Sequence, residues 1–426
     1  MSEASPVFIH SIFRAGSTYV FSAFRRSSTG YWCYQEPLHE LAYCCRENPV
    51  GLDADHGGDK VALLRHPPLD GSYFKELKEV WPAWKDTISA GIIYNDYFAA
   101  CDEKFNKAYW QSLIDAAPRR PVFQECRTAG RIAAIKAGLG GTHLYLWRNP
   151  WDQWWSYKVA PYFDATSRLV VHARNAPKAA ELLAASLGLS AYPGSEEDIA
   201  AAFAYYSERP LSSDHSYQLF YLLWCLALHE GLQHADLMLN IDQLSDSADY
   251  RKEALAALQR LDITGVDFSD CVSPQAMYSE TERAWFVVQE AKVHACLLEG
   301  GWRLHDLERL QSVRHQQQPL LWKSDSPGRL GEQGSRAREL ARRFETSMAE
   351  RLHLGHLRQT AIEEELGAAR QALHQAELEV QRSSGQLRQM EIEFGQARTD
   401  ALVLQAQLEE RVSAADARAS QDEQQG

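Results

Sequence analysis

Every tryptophan, cysteine and proline of this 426-residue chain lies at or before Pro327, and no lysine follows Lys323. Beyond that point the chain draws on Ala, Glu, Gln, Arg and Leu, a helix-forming set with little from which to build a globular core. One uniform fold is excluded. The break predicts a globular part over 1–323, a Ser-, Gly- and Pro-rich linker over 324–335, a coiled-coil segment over 336–420 and a disordered tail over 421–426.

In the helical segment one column recurs every seven residues: Leu352, Gln359, Leu366, Leu373, Val380, Leu387, Phe394, Ala401 and Leu408. The column three residues later is smaller and mixed, running from Gly355 and Ile362 to Leu404 and Arg411. A stripe of period seven kept this long reads as a coiled-coil seam. Gly367, Gly385 and Gly395 would suit a single solvated helix instead. A seam needs a partner helix. Burying the stripe against a second copy gives a homodimer, the commonest closed oligomer; a helix of another protein would also cover it.

The first 320 residues alternate short apolar runs with helical stretches. PVFIHSI (6–12), YWCYQE (31–36), PVFQE (121–125), HLYLW (143–147) and ADLMLNI (235–241) read as strands. Helical periodicity follows at 17–27, 38–46, 128–138, 151–159 and 248–261. Short buried strands each followed by a helix predict an α/β fold, a parallel sheet covered on both faces. Ligands of such sheets bind beyond the carboxyl ends of the strands, and the candidate site is sought there. The 57 acids against 44 bases, a net −13, argue against general affinity for nucleic acid or anionic membranes. An anionic ligand would need a local positive pocket. The eight cysteines form no C-x-x-C pair and read as reduced, mostly buried thiols. No signal-peptide pattern and no run of about 18 apolar residues occurs, so no membrane span and a cytoplasmic location are expected.

After the first predicted strand comes FRAGSTYVFSAFRR (13–26). Gly16 permits a tight turn, Ser17 and Thr18 open a helix, and Arg14 adds a fixed charge. Helix amides, dipole and guanidinium together suit an anion; an ordinary capped helix start would look similar. A nucleoside-triphosphatase loop does not fit, because G-x-x-x-x-G-K-[ST] is absent and no lysine precedes Ser17. After the fourth predicted strand comes WRNPWDQWWSY (147–157). Arg148 stands at the strand end, Asn149 can cap, Pro150 fits the first helical turn, and Asp152 and Ser156 are four apart on one face. A plain strand-to-helix turn with Arg148 in a surface ion pair would read the same way.

Together the two segments resemble the cofactor motifs of sulfotransferases that use 3′-phosphoadenosine 5′-phosphosulfate. Arg14, Gly16, Ser17 and Thr18 match the core of that family's 5′-phosphosulfate loop, and Arg148, Asn149, Pro150 and Ser156 match its 3′-phosphate motif at its spacing. YQEPLHEL (34–41) is similar to the E-P-L segment of carbohydrate-type members, and LNIDQL (239–244) to their strand ending E-D-L. The resemblance spans roughly residues 6–310 in order. Ser11 and Phe13 depart from the family's small residue and proline, and Ala15 replaces its usual loop serine. EGGWRLHD (299–306) does not reproduce the G-x-x-G-x-W-K loop of cytosolic small-molecule members.

The resemblance implies a P-loop-like nucleotide-binding sulfotransferase fold that moves a sulfuryl group to a hydroxyl or amine of an acceptor, a saccharide in the first instance. Arg14 and the amides of Ala15, Gly16, Ser17 and Thr18 would hold the leaving 5′-phosphate, while Arg148 and Ser156 anchor the 3′-phosphate. No divalent metal is required. Glu36, ending the second strand beside the first, is the candidate base if partial burial raises its pKa, and His39 is its rival. As structural groups the two would be a helix N-terminal charge and an exposed helix residue. Trp151, Trp154, Trp155, Tyr157 and Tyr162 read as core or as an acceptor cleft. Arg127, Arg131 and Lys136 read as more of the cofactor pocket or as a solvated helix face. Two other functions stay open: a degenerate sulfotransferase fold serving as a coiled-coil assembly module, and a nucleotide-dependent phosphotransferase, for which the Walker lysine is missing.

Overall fold

The computed structural model describes residues 5–53, 71–99, 107–321 and 382–413, with isolated positions between 367 and 379. The chain divides into two units, Met1–Pro327 and Gly328–Gly426. The expected linker, the seam positions from Leu352 to Val380 and the expected tail lie outside the described residues.

Five strands build one parallel sheet: β1 Val7–His10, β2 Trp32–Gln35, β3 Pro121–Glu125, β4 Thr142–Trp147 and β5 Leu237–Asn240, in the order β2-β3-β1-β4-β5. All five fall on the expected segments. The helices that position the site are α1 Ser17–Arg25, α2 Glu40–Cys44, α3 Lys107–Ala116, α4 Ile132–Leu139, α5 Pro150–Tyr157, α6 Pro161–Val171, α7 Ser213–His234, α8 Ala248–Arg260, α9 Glu280–Glu299 and α10 Leu304–Arg314. Val7, Ile9, Cys33, Val122, Leu144, Leu146 and Leu239 face α1 and α8 in one apolar cluster. The alternate residues face α3, α4 and α7. Among them a ladder of stacked rings crosses four strands, Tyr34 on Phe123 at 5.1 Å, Phe123 on Phe8 at 4.9 Å and Phe8 on His143 at 5.0 Å. Both faces are covered, which is why the strands read as continuous apolar runs.

Strand order brings one correction. β3 lies between β1 and β2, so Glu36 does not end a strand beside β1. Parallel neighbours are joined by crossovers, and the next strand in sequence need not be the next in the sheet. A second feature had no readable periodicity. Helix α7 is buried from Ser216 to Leu228 on every side, so its pattern shows no polar face. In the second unit a helix runs over 382–413, with Leu387, Phe394 and Leu408 of the seam exposed in the single chain. Among the described residues no helix is long and apolar enough to cross a membrane.

Candidate functional site

The loop after β1 is forced into a tight path by two left-handed residues, Arg14 at φ 67° and Gly16 at φ 82°. A Cβ on Gly16 would stand 2.8 Å from Ile241 Cγ2, so only glycine lets the loop lie against the residue that follows β5. Gly16 also caps α1 without a side-chain hydrogen bond. The first-turn amides of a helix have no intrahelical acceptor, and here no side chain of the cap takes them up. Ala15 is fully buried in the apolar cluster under α1, so its side chain belongs to the core. Arg14 Nε donates to Ser156 Oγ at 2.9 Å, joining the two sequence motifs across 142 residues.

Arg148 is not in a surface ion pair. It is buried, donates from Nε to Asp242 Oδ1 at 2.9 Å and from Nη2 to the Pro274 carbonyl at 2.7 Å, and makes a longer bond of 3.4 Å to the Arg14 carbonyl. Asp242, fully buried, also accepts from the Asn149 amide at 2.7 Å and the Ser273 hydroxyl at 2.8 Å. Asn149 caps α5 by accepting from the Trp151 amide, and Pro150 opens the helix as expected. Asp152 points elsewhere, accepting from the Ala276 amide and the Tyr278 hydroxyl. Asp242 lies in LNIDQL; the need of a buried arginine for a counter-ion was the available clue to its part.

Glu36 follows β2 with φ 39°. Its Oε2 accepts from Arg127 Nη1 at 2.8 Å and its Oε1 from the Tyr73 hydroxyl at 2.8 Å. Arg127 is fully buried and also donates to Glu40 at 2.9 Å, Tyr162 at 2.7 Å and Tyr94 at 3.2 Å. This corrects the expectation of a raised carboxyl: burial pushes Glu36 up, but Arg127, His39 and Tyr73 outweigh it, and its pKa lies below the ordinary value. Glu125, at the end of β3, is the raised one, pushed up to about 7 by burial against the pull of Arg127. His39 is half-buried and serves as the N-cap of α2, its Nδ1 accepting from the Leu41 amide at 3.1 Å.

Contact with the β1 loop comes through Cys126. Its Sγ lies 3.5 Å from Ser17 Oγ, 3.6 Å from Ser11 Oγ and 3.8 Å from Glu36 Oε1. Arg131 is buried and binds the carbonyls of Ile92, Asp96 and Arg127, while Lys136 pairs with Asp236. Neither belongs to a phosphate pocket. Trp151, Trp154 and Tyr157 are core; Trp155 is exposed. A cavity of about 310 Å³ flanked by Gly130, Ala133, Leu226, His229 and Trp302 contains none of the expected site residues.

No protein-family model matches the chain, and no curated protein matches it.

Several buried polar atoms at the carboxyl edge of the sheet have no hydrogen-bond partner: both amide atoms of Gln35, Oε1 of Gln124, Nδ2 of Asn149, Oε1 of Gln153 and Nδ2 of Asn240. Buried polar atoms are normally paired, so an edge with this many orphans suits a polar ligand or ordered water. With the uncapped amides of α1 and the half-buried Arg14, the donor set fits one phosphate group at the β1 loop. Ser156, half-buried beside Arg14, can reach a second. Arg148 fits less well, because Asp242 already holds it.

Beneath the loop, His10 and His143 form a buried chain. His10 Nδ1 lies 2.8 Å from Thr128 Oγ1, His10 Nε2 2.9 Å from His143 Nδ1, and His143 Nε2 3.0 Å from the Gly140 carbonyl. A carbonyl only accepts, so His143 carries its proton on Nε2. Its Nδ1 then accepts from His10 Nε2, and Thr128 donates to His10 Nδ1. Burial holds both rings neutral, driving His10 well down and His143 to about 4. A folded pKa below the unfolded value near 6.5 means stability is present above that value and is lost as pH falls towards 4. Glu125 and Asp152, raised by burial to about 7 and about 6, gain over the same range, so the test is a difference. The stability deficit of His143→Gln in urea unfolding should shrink by roughly 2 kcal/mol between pH 7 and pH 4.5. A deficit that does not change with pH would show that the ring titrates freely.

Proposed function

We propose that the chain is a sulfotransferase, moving a sulfuryl group from 3′-phosphoadenosine 5′-phosphosulfate to a hydroxyl or amine of an acceptor of saccharide class. One observation carries it. Among the described residues the non-glycine positions with left-handed backbone are Arg14, Glu36, Asn175 and Asp262. Asn and Asp tolerate that conformation; Arg and Glu do not, and strain of this kind collects at functional sites. Arg14 and Glu36 follow β1 and β2 directly and belong to the motifs that carry the resemblance.

The donor supplies the activated sulfuryl group. The amides of 16–18 and Arg14 hold the phosphate oxygens on which charge grows. Ser156 fixes a second phosphate beside Arg14, and Arg148 positions the loop by gripping the Arg14 carbonyl. Glu36 stays ionised and can take the acceptor's proton, with its basicity reduced by Arg127 and Tyr73, and His39 stays its rival. The exposed seam of 382–413 pairs the chain as a homodimer. The observation that favours an assembly module without catalysis is the Arg148–Asp242 pair, which occupies the arginine meant for the 3′-phosphate.

Calorimetric titration of the full chain should give tighter binding of adenosine 3′,5′-bisphosphate than of AMP or ATP. Ser156→Ala should weaken the bisphosphate about 10-fold, the worth of one charge-assisted hydrogen bond, and leave AMP nearly unchanged. Equal affinity for ATP and the bisphosphate would end the sulfotransferase proposal and leave the assembly module and the phosphotransferase.

A further inference from the structure

The helix over 382–413 presents Leu387, Phe394 and Leu408 on one seam column and Met390 and Leu404 on the other, all more than half exposed. An apolar stripe alone says nothing of orientation or register. The flanking charges do. The positions before the first column, the g positions of the heptad, are Glu379, Gln386, Glu393, Asp400 and Gln407. They carry three acids and no base. The positions after the second column, the e positions, are Ser384, Glu391, Arg398, Gln405 and Val412.

Resting on the homodimer reading, we infer that this helix encodes pairing with a second copy of itself, parallel and with equal residue numbers side by side. In a parallel pair each g residue meets the e residue five positions on in the other helix. Equal register then sets Glu393 against Arg398 of the partner copy, twice by symmetry. Glu379 meets Ser384, Gln386 meets Glu391, and Asp400 meets Gln405. No like charges face each other. Upstream, Glu365 and Arg370 repeat the spacing of the attractive pair in the sequence.

The alternatives are penalised. Slipping one copy by a heptad sets Glu379 of one chain against Glu391 of the other and Glu393 of the second chain against Glu391 of the first, two repulsions against the one attraction that Asp400 and Arg398 then make. An antiparallel pair sets g against g and e against e; over 379–407 the g column holds only acids and glutamines, and that repulsion offsets what Glu391 against Arg398 gains in the e column. Attraction in one arrangement and repulsion in its rivals is how a pairing surface becomes specific. Within each chain the flanking residues are also braced along the helix, Gln389 donating to Glu393 at 2.9 Å and Gln405 to Glu409 at 3.0 Å. Two symmetry-related chains are thus the occupant that the charges select.

The test uses the full chain carrying Ala397→Cys at a seam position. Mild oxidation should link position 397 of one chain to position 397 of the other, identified by mass spectrometry of the linked peptide. Glu393→Arg and Arg398→Glu should each weaken self-association on the order of tenfold, and mixing the two variants should restore it by forming the heterodimer. A dimer by sedimentation without the 397–397 link overturns the parallel, equal-register arrangement. A monomer overturns the homodimer reading and this inference with it. Bisphosphate titration of the same variants reads the donor site separately.

Discussion

Glu36→Gln is expected to cut sulfuryl transfer by about 10²–10⁴-fold while leaving affinity for adenosine 3′,5′-bisphosphate nearly intact. The amide keeps an oxygen for Arg127 or Tyr73 but cannot take a proton. Arg127 retains Glu40 as its counter-ion, so the network around it survives the change. Because Glu36 is held below the usual carboxylate range, it stays ionised across neutral pH, and the rate should not rise between about pH 6 and pH 8 on its account. The informative comparison is His39→Ala. If that variant loses turnover with binding preserved and Glu36→Gln does not, the base is His39 and the assignment falls.

Arg148→Met should cost about 3–5 kcal/mol of folding stability in urea unfolding at pH 7. Asp242 is fully buried, and without the guanidinium its charge keeps only the Asn149 amide and the Ser273 hydroxyl. Removing both charges together, Arg148→Met with Asp242→Leu, should recover most of that loss, since an apolar pair of similar volume often replaces a buried ion pair at little cost. A single-variant loss below about 1 kcal/mol would mean that the Arg148–Asp242 pair contributes little to holding the fold. The size of the expected loss also decides how binding data are interpreted. A weak-binding Arg148 variant reports the loop's collapse as readily as a lost phosphate contact, and Ser156 is the cleaner probe.

The five strands were legible because each is a short run buried on both faces and bounded by turn residues, a pattern carried entirely by local composition. The start of α1 at Gly16 and the cap at Asn149 were legible for the same reason: each depends on residues within a few positions. The charge columns of 382–413 are of this kind too, since a helix maps spacing onto surface directly. What only the tertiary structure decided is who meets whom across long separations. β3 enters between β1 and β2; Arg127 gathers Glu36, Glu40, Tyr94 and Tyr162; Asp242 claims Arg148; and Ser156 meets Arg14. Each of these partners lies at least 33 residues away in sequence. The sign of Glu36's pKa shift follows from the same cause. Its own strand end predicts burial, which raises a carboxyl, but the guanidinium that reverses the shift arrives from the loop after β3, and no pattern around residue 36 announces it.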